Sequence, residues 1–165
     1  MAAKEKIGFV GLGKMGNPMV KRLIDMGYTV TVYDRITERA KELTAAGALV
    51  ADSSKAVAIS ADVMITMIPD DPAIEAVALG KEGILEGAKE GKILIDMSTI
   101  SPFASSRVAE GAKKKGVKYL RAPVSGSPKF AEAGILTLFI SGPEEVYQKC
   151  QALLGTLGQK LFYVG

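Results

Sequence analysis

Three glycines and one carboxylate stand where dinucleotide chemistry would need them. Gly11, Gly13 and Gly16 form a G-x-G-x-x-G spacing. It follows the apolar run Lys6-Ile7-Gly8-Phe9-Val10 directly and opens the helical pattern Asn17-Pro18-Met19-Val20-Lys21-Arg22-Leu23. Between a strand and a helix, Gly11 permits the tight turn, Gly13 lets backbone approach a pyrophosphate, and Gly16 lets the helix pack closely on the strand. The helix start adds free N–H groups and the positive end of its dipole. A second run, Thr29-Val30-Thr31-Val32-Tyr33-Asp34, is rich in β-branched residues and ends in an acid 18 positions after Gly16. That is close to the ~20 at which a carboxylate meets the adenosine ribose hydroxyls. A carboxylate there repels a 2′-phosphate carrying about −1.5 to −2 charges, which favours NAD. Arg35, next in line, suits such a phosphate and keeps NADP open. The balance leans slightly to NAD.

Composition removes several other chemistries. The 165 residues include no histidine, so Ser-His-Asp and Cys-His systems and His-ligated zinc are excluded. Proton transfer would fall to Lys, Tyr, Asp, Glu or water. Cys150 is the single cysteine, which leaves no internal disulfide and no cysteine metal site; its helical, apolar context suggests core packing. No metal is expected. A net charge of +3 is too small to argue for nucleic acid, and Lys113-Lys114-Lys115 falls where a helix end would favour cations. No apolar run approaches the ~18 residues of a membrane span, and no signal peptide leads the chain, so no membrane partner and a cytoplasmic location are expected.

The elements that must position these groups alternate. Strands are expected at 6–10, 29–34, 48–50, 62–68, 92–96, 117–120, 136–141 and 160–164. Helices are expected after Gly16, over 37–46 with Thr37 as N-cap, from Ser53 or Ser54 to Ile59, over 72–79, from Ser101-Pro102 to about Lys115, and over 143–154. A polar loop fills the stretch between Ser127 and Leu136. This alternation predicts an α/β, Rossmann-type doubly wound fold: one domain over 1–165, a mostly parallel sheet, helices on both faces. Ligands bind such sheets at the carboxyl ends of the strands.

The blocks Gly11-Leu12-Gly13-Lys14-Met15-Gly16-Asn17-Pro18-Met19, Met67-Ile68-Pro69, Ile95-Asp96-Met97-Ser98-Thr99-Ile100-Ser101-Pro102 and Ala122-Pro123-Val124-Ser125-Gly126-Ser127 resemble, in that order, the β-hydroxyacid dehydrogenases. That family includes 3-hydroxyisobutyrate dehydrogenase and tartronate and succinic semialdehyde reductases, and is related to 6-phosphogluconate dehydrogenase. The resemblance implies that Gly11, Leu12, Gly13, Met15 and Gly16 hold the pyrophosphate, with Asp34 and Arg35 at the ribose. Ile68 and Pro69 would line the cofactor, and Thr99 would sit near the nicotinamide ribose. Ser125, Gly126 and Ser127 would present hydroxyl and N–H groups to a small carboxylate or semialdehyde substrate, as consecutive backbone donors can.

Two positions depart from the family pattern. Arg121 stands where an acid is usual, and Ser127 where a third Gly is usual; Ser127 and Lys129 are similar to the glyoxylate/succinic semialdehyde group. The resemblance also implies an all-helical second domain that forms the homo-oligomer and carries the catalytic Lys beyond Gly165. The 165 residues would then be the cofactor domain, with no catalytic residue of their own. A non-catalytic dinucleotide-binding module, serving as sensor or scaffold, is the alternative. The absent domain would leave an apolar face exposed.

Overall fold

The computed structural model describes residues 3–165. Six strands, β1 (Ile7–Val10), β2 (Val30–Tyr33), β3 (Leu49–Val50), β4 (Val63–Thr66), β5 (Ile93–Asp96) and β6 (Lys118–Arg121), form one sheet in the order β3-β2-β1-β4-β5-β6. Every pairing in it is parallel. Strand order reverses direction at β1, which lies between β2 and β4. In doubly wound sheets a crevice opens at that point beyond the carboxyl ends of the strands.

Period-two alternation explains why β1, β4 and β5 read as continuous apolar runs. Ile7, Phe9, Val63, Ile65, Ile93 and Ile95 point into one core, while Val10, Met64 and Leu94 point into the other. Both faces are covered, so every residue of these three strands is buried. On the first face pack α1 (Gly16–Asp25), α2 (Thr37–Thr44) and α8 (Glu144–Leu157), which carries Cys150 into the core. On the second pack α3 (Ser54–Ser60), α4 (Asp71–Leu79), α5 (Ile84–Gly87) and α6 (Pro102–Lys114).

The structure corrects the single-sheet expectation. The chain leaves β6 through Ala122-Pro123, and proline has no N–H with which to continue a ladder. It restarts as β7 (Val124–Ser125), antiparallel to β8 (Leu136–Ile140), and β8 runs parallel to β9 (Gly158–Tyr163). This second, three-stranded sheet shares the first core through Leu136, Leu138 and Ile140. Its outer side carries the stacked pair Phe139 and Phe162, with ring centroids 5.7 Å apart, beside exposed Val164.

Two helices lie where none was expected. α5 is one turn, and α7 (Pro128–Ala133) occupies the stretch read as a polar loop. Ser127 Oγ accepts the Phe130 N–H, Pro128 takes the first turn, and Gly134 ends the helix in the left-handed region at φ 69°. Elsewhere Ser53 and Ser101 cap α3 and α6 through the N–H groups of Ala56 and Ala104. Thr37 is the first residue of α2 rather than its cap; Ile36 holds that position.

Candidate functional site

A cleft of about 1090 Å³ opens at the carboxyl end of β1, β2 and β4. Gly11 turns the chain at φ 100°, and its N–H donates to the Tyr33 carbonyl at 3.1 Å. A Cβ on Gly11 would overlap the Met67 carbonyl, and one on Gly16 would overlap the Gly11 carbonyl. These two glycines therefore serve close packing. Gly13 differs: a Cβ there would meet nothing within 4 Å. Its missing side chain leaves open space on the cleft wall, as a backbone cradle for phosphate requires. α1 begins next to it with no side-chain cap and no acid in its first turn; the Asn17 N–H already donates to the Gly13 carbonyl at 3.0 Å and Pro18 has no N–H, so an anion would be met by the N–H groups of the Gly13–Gly16 turn.

Asp34 is buried at the rim, only 7% exposed. One carboxylate oxygen accepts the Leu12 N–H at 2.8 Å, and the other accepts the Ile36 N–H at 2.8 Å. Arg39, on the first turn of α2, brings Nη1 within 3.5 Å of the same carboxylate. The backbone thus fixes the acid in the cleft wall before any ligand arrives.

On the opposite wall, two loops are joined. The Ile68 N–H donates to Ser98 Oγ at 2.8 Å, which ties the β4 exit to the β5 exit. Asp71 accepts both the Ser101 hydroxyl at 2.5 Å and the Ser101 N–H at 2.9 Å, which ties the start of α4 to the cap of α6. Those two bonds hold the Asp71 carboxyl below its ordinary value. Beneath them Asp96 is fully buried; one oxygen accepts from Thr66 Oγ1 at 2.8 Å and from the Ser98 N–H at 3.1 Å. Burial raises its pKa, against the opposing pull of these hydrogen bonds. The other Asp96 oxygen and Arg121 Nε make no hydrogen bond. Arg121 lies opposite Asp96 in the β5–β6 register and donates instead from Nη2 to the Ile100 carbonyl at 2.6 Å.

Of the residues singled out in the sequence, Gly11, Gly13, Met15, Gly16, Asp34, Arg35, Ile68 and Pro69 line the cleft. Leu12 is buried behind it, and its N–H holds Asp34. Thr99 is exposed beside the Ser98 tie, outside the lining. Ser125, Gly126 and Ser127 are exposed in β7 and the turn into α7, also outside it. Sequence reasoning did not pick out Arg39, Lys14 or the α4 residues Ala73, Ala76 and Val77, which also line the cleft. Arg39 could have been found from its place one turn into a helix that starts just after Asp34. Among the described residues, no group of His, Cys, Asp and Glu could hold a metal ion, and no helix is long and apolar enough to cross a membrane.

Residues 6–165 match the sequence model of the NAD binding domain of 6-phosphogluconate dehydrogenase. The chain is 38% identical over 160 residues to 2-(hydroxymethyl)glutarate dehydrogenase of Eubacterium barkeri, covering 97% of this chain and 53% of that protein. It is 43% identical over 165 residues to mitochondrial 3-hydroxyisobutyrate dehydrogenase of Rattus norvegicus, covering 100% of this chain and 49% of that protein. Among solved structures, Psf3 in complex with NADP+ and 2-OPP superposes with a TM-score of 0.92 at 31% identity, over 96% of this chain and 56% of that one. The chain spans about half the length of the curated relatives it matches.

Proposed function

Because this chain belongs to the family of the 6-phosphogluconate dehydrogenase NAD-binding domain, we propose that it is the cofactor-binding part of an NAD(P)-dependent oxidoreductase. The substrate class is a small β-hydroxy acid or the corresponding semialdehyde, as its similarity to 2-(hydroxymethyl)glutarate and 3-hydroxyisobutyrate dehydrogenases suggests. The observation that carries the reading is the pairing of an open Gly13 with a pre-positioned Asp34 on one cleft.

The residues present fit a dinucleotide. The β1–α1 turn and the uncapped start of α1 would hold the pyrophosphate. Asp34, fixed by the Leu12 and Ile36 N–H groups, would accept the adenosine ribose hydroxyls. Ile68 and Pro69 would form the apolar wall, with the adenine toward Ala73 and Val77. When bound, the nicotinamide supplies or accepts the hydride. Thr99, on the loop tied to Ile68, would border its ribose. Ser125, Gly126 and Ser127 would take the substrate carboxylate, although the Ser127 hydroxyl already caps α7. The accompanying proton is assigned to a lysine outside residues 1–165, in a helical part that the greater length of the relatives would accommodate. Homo-oligomer contacts are assigned to the same part.

Calorimetric titration of the folded chain with NADH and NADPH tests the nucleotide step. Saturable one-to-one binding in the micromolar to millimolar range usual for enzyme ligands is expected, and competition by ADP-ribose should be complete. Absence of binding by either nucleotide to folded protein would remove the reading.

A further inference from the structure

We propose that Arg121 is a positioning residue for the nicotinamide end of the cleft: it holds the Ile100 carbonyl and thereby places Thr99. The inference rests on the nucleotide reading above and goes beyond it. The loop from β5 to α6 is pinned on both sides of Thr99. Before it, the Ser98 hydroxyl accepts the Ile68 N–H, and the Ser98 N–H donates to Asp96. After it, Ser101 donates twice to Asp71. Those ties come from the β4 side and from β5 itself. The remaining pin comes from the other side: Arg121, the last residue of β6, donates from Nη2 to the Ile100 carbonyl at 2.6 Å. Thr99 itself stays exposed.

Arg121 is itself anchored. Its N–H donates to the Ser141 carbonyl at 3.0 Å and its carbonyl accepts the Ser141 N–H at 2.8 Å, so it bridges the first sheet to the residue after β8. Its side chain is partly buried. Its charge reaches two carboxylates: it adds to the Ser101 hydrogen bonds that lower the Asp71 pKa, and it opposes the burial that raises that of Asp96. A guanidinium carries a fixed charge on a rigid fork of donors, so its hold on a carbonyl is directional as well as strong. Without it, the Ile100 carbonyl loses a charged donor, and Asp71 and Asp96 lose a compensating cation. The loop then stays tied on its β4 side alone, and Thr99 is no longer fixed against β6. Beyond Arg121 the chain runs through Ala122-Pro123 into Ser125, Gly126 and Ser127, the residues proposed for the substrate carboxylate. One arginine therefore sets the spacing between the loop at the nicotinamide ribose and the loop at the substrate.

The test compares NADH with ADP-ribose, which lacks the nicotinamide, by calorimetric titration of the wild-type chain, Arg121→Met, Arg121→Lys and Thr99→Ala, with thermal melting to verify folding. In Arg121→Met the affinity for NADH should fall about fivefold or more, while that for ADP-ribose changes by less than about twofold, as expected when a charge-assisted hydrogen bond is lost at one end of the ligand. A general loosening of the fold would weaken both ligands alike. Arg121→Lys keeps the cation without the fork and should show an intermediate loss, again toward NADH alone; that comparison stands by itself if Arg121→Met does not fold. Because Arg121 acts through Thr99, the double variant with Thr99→Ala should bind NADH no more than about twofold more weakly than the weaker single variant. Equal losses for both ligands, no loss toward NADH, or effects that multiply in the double variant would overturn this assignment and leave the nucleotide reading standing. A folded wild-type chain that binds neither ligand would overturn both.

Discussion

Gly13 and Gly16 serve the cleft in opposite ways. Gly13→Ala adds a methyl that touches nothing in the protein. Its stability should stay within about 0.5 kcal/mol of wild type. Nucleotide affinity should nevertheless fall by a factor on the order of 10 or more, because in the proposed site the methyl would stand where phosphate meets backbone. Gly16→Ala forces a methyl into the Gly11 carbonyl and against the Phe9 ring. It should destabilise the fold by about 1–3 kcal/mol through overpacking. Parallel denaturant melts and titrations separate the two effects. A Gly13→Ala chain that unfolds early, or binds as tightly as wild type, would refute the division of roles.

Among the elements, α4 and α6 are joined end to end by the Asp71–Ser101 pair. The Asp71 carboxyl titrates below its ordinary value of 3.8 in the fold. Its contribution to stability is therefore present above that value and is lost as pH falls through the lowered one. Asp96 works in the opposite sense: burial raises its pKa, so its contribution is fullest below 3.8 and fades as pH rises through the raised value. Asp71→Asn should flatten the acid limb of the stability curve, measured by melting between about pH 2 and pH 6. An unchanged limb would show that the pair carries no stability. The same elements show what the sequence made legible. β4 and β5 stood out because both their faces are covered, and α6 because Ser101-Pro102 is a strong start signal. β7 has two residues and α5 four, too few to display a period. The Ser127-Pro128 start and Gly134 stop of α7 were present but enclosed only one and a half turns of pattern. The helix from Thr37 was expected, but the return of Arg39 to Asp34 depends on how that helix folds back over the end of β2, which no local pattern displays. The break at Pro123 was visible as a residue and not as a change of sheet, since the partner of β7 lies more than ten positions ahead.

For the whole molecule, the first core runs without interruption from β1 through β8 to α8. The two sheets therefore share apolar contacts and should unfold together. Cys150 lies in that core, 3% exposed, with its thiol pushed up to about 11 by burial. It is the only thiol in the chain. Labelling by an aromatic disulfide reagent at neutral pH should be negligible in the native state and should follow global opening in denaturant. Immediate stoichiometric labelling of native protein would contradict a single cooperative unit.

The paired ties between the β4 and β5 exits also bear on how fast a ligand is captured. With Ile68 held to Ser98 and Asp71 held to Ser101, one wall of the cleft is already assembled before encounter. Little ordering of that wall is left for association to accomplish. Mixing experiments should then show one phase, whose observed rate climbs in proportion to nucleotide concentration without the plateau that a preceding or following closure step imposes.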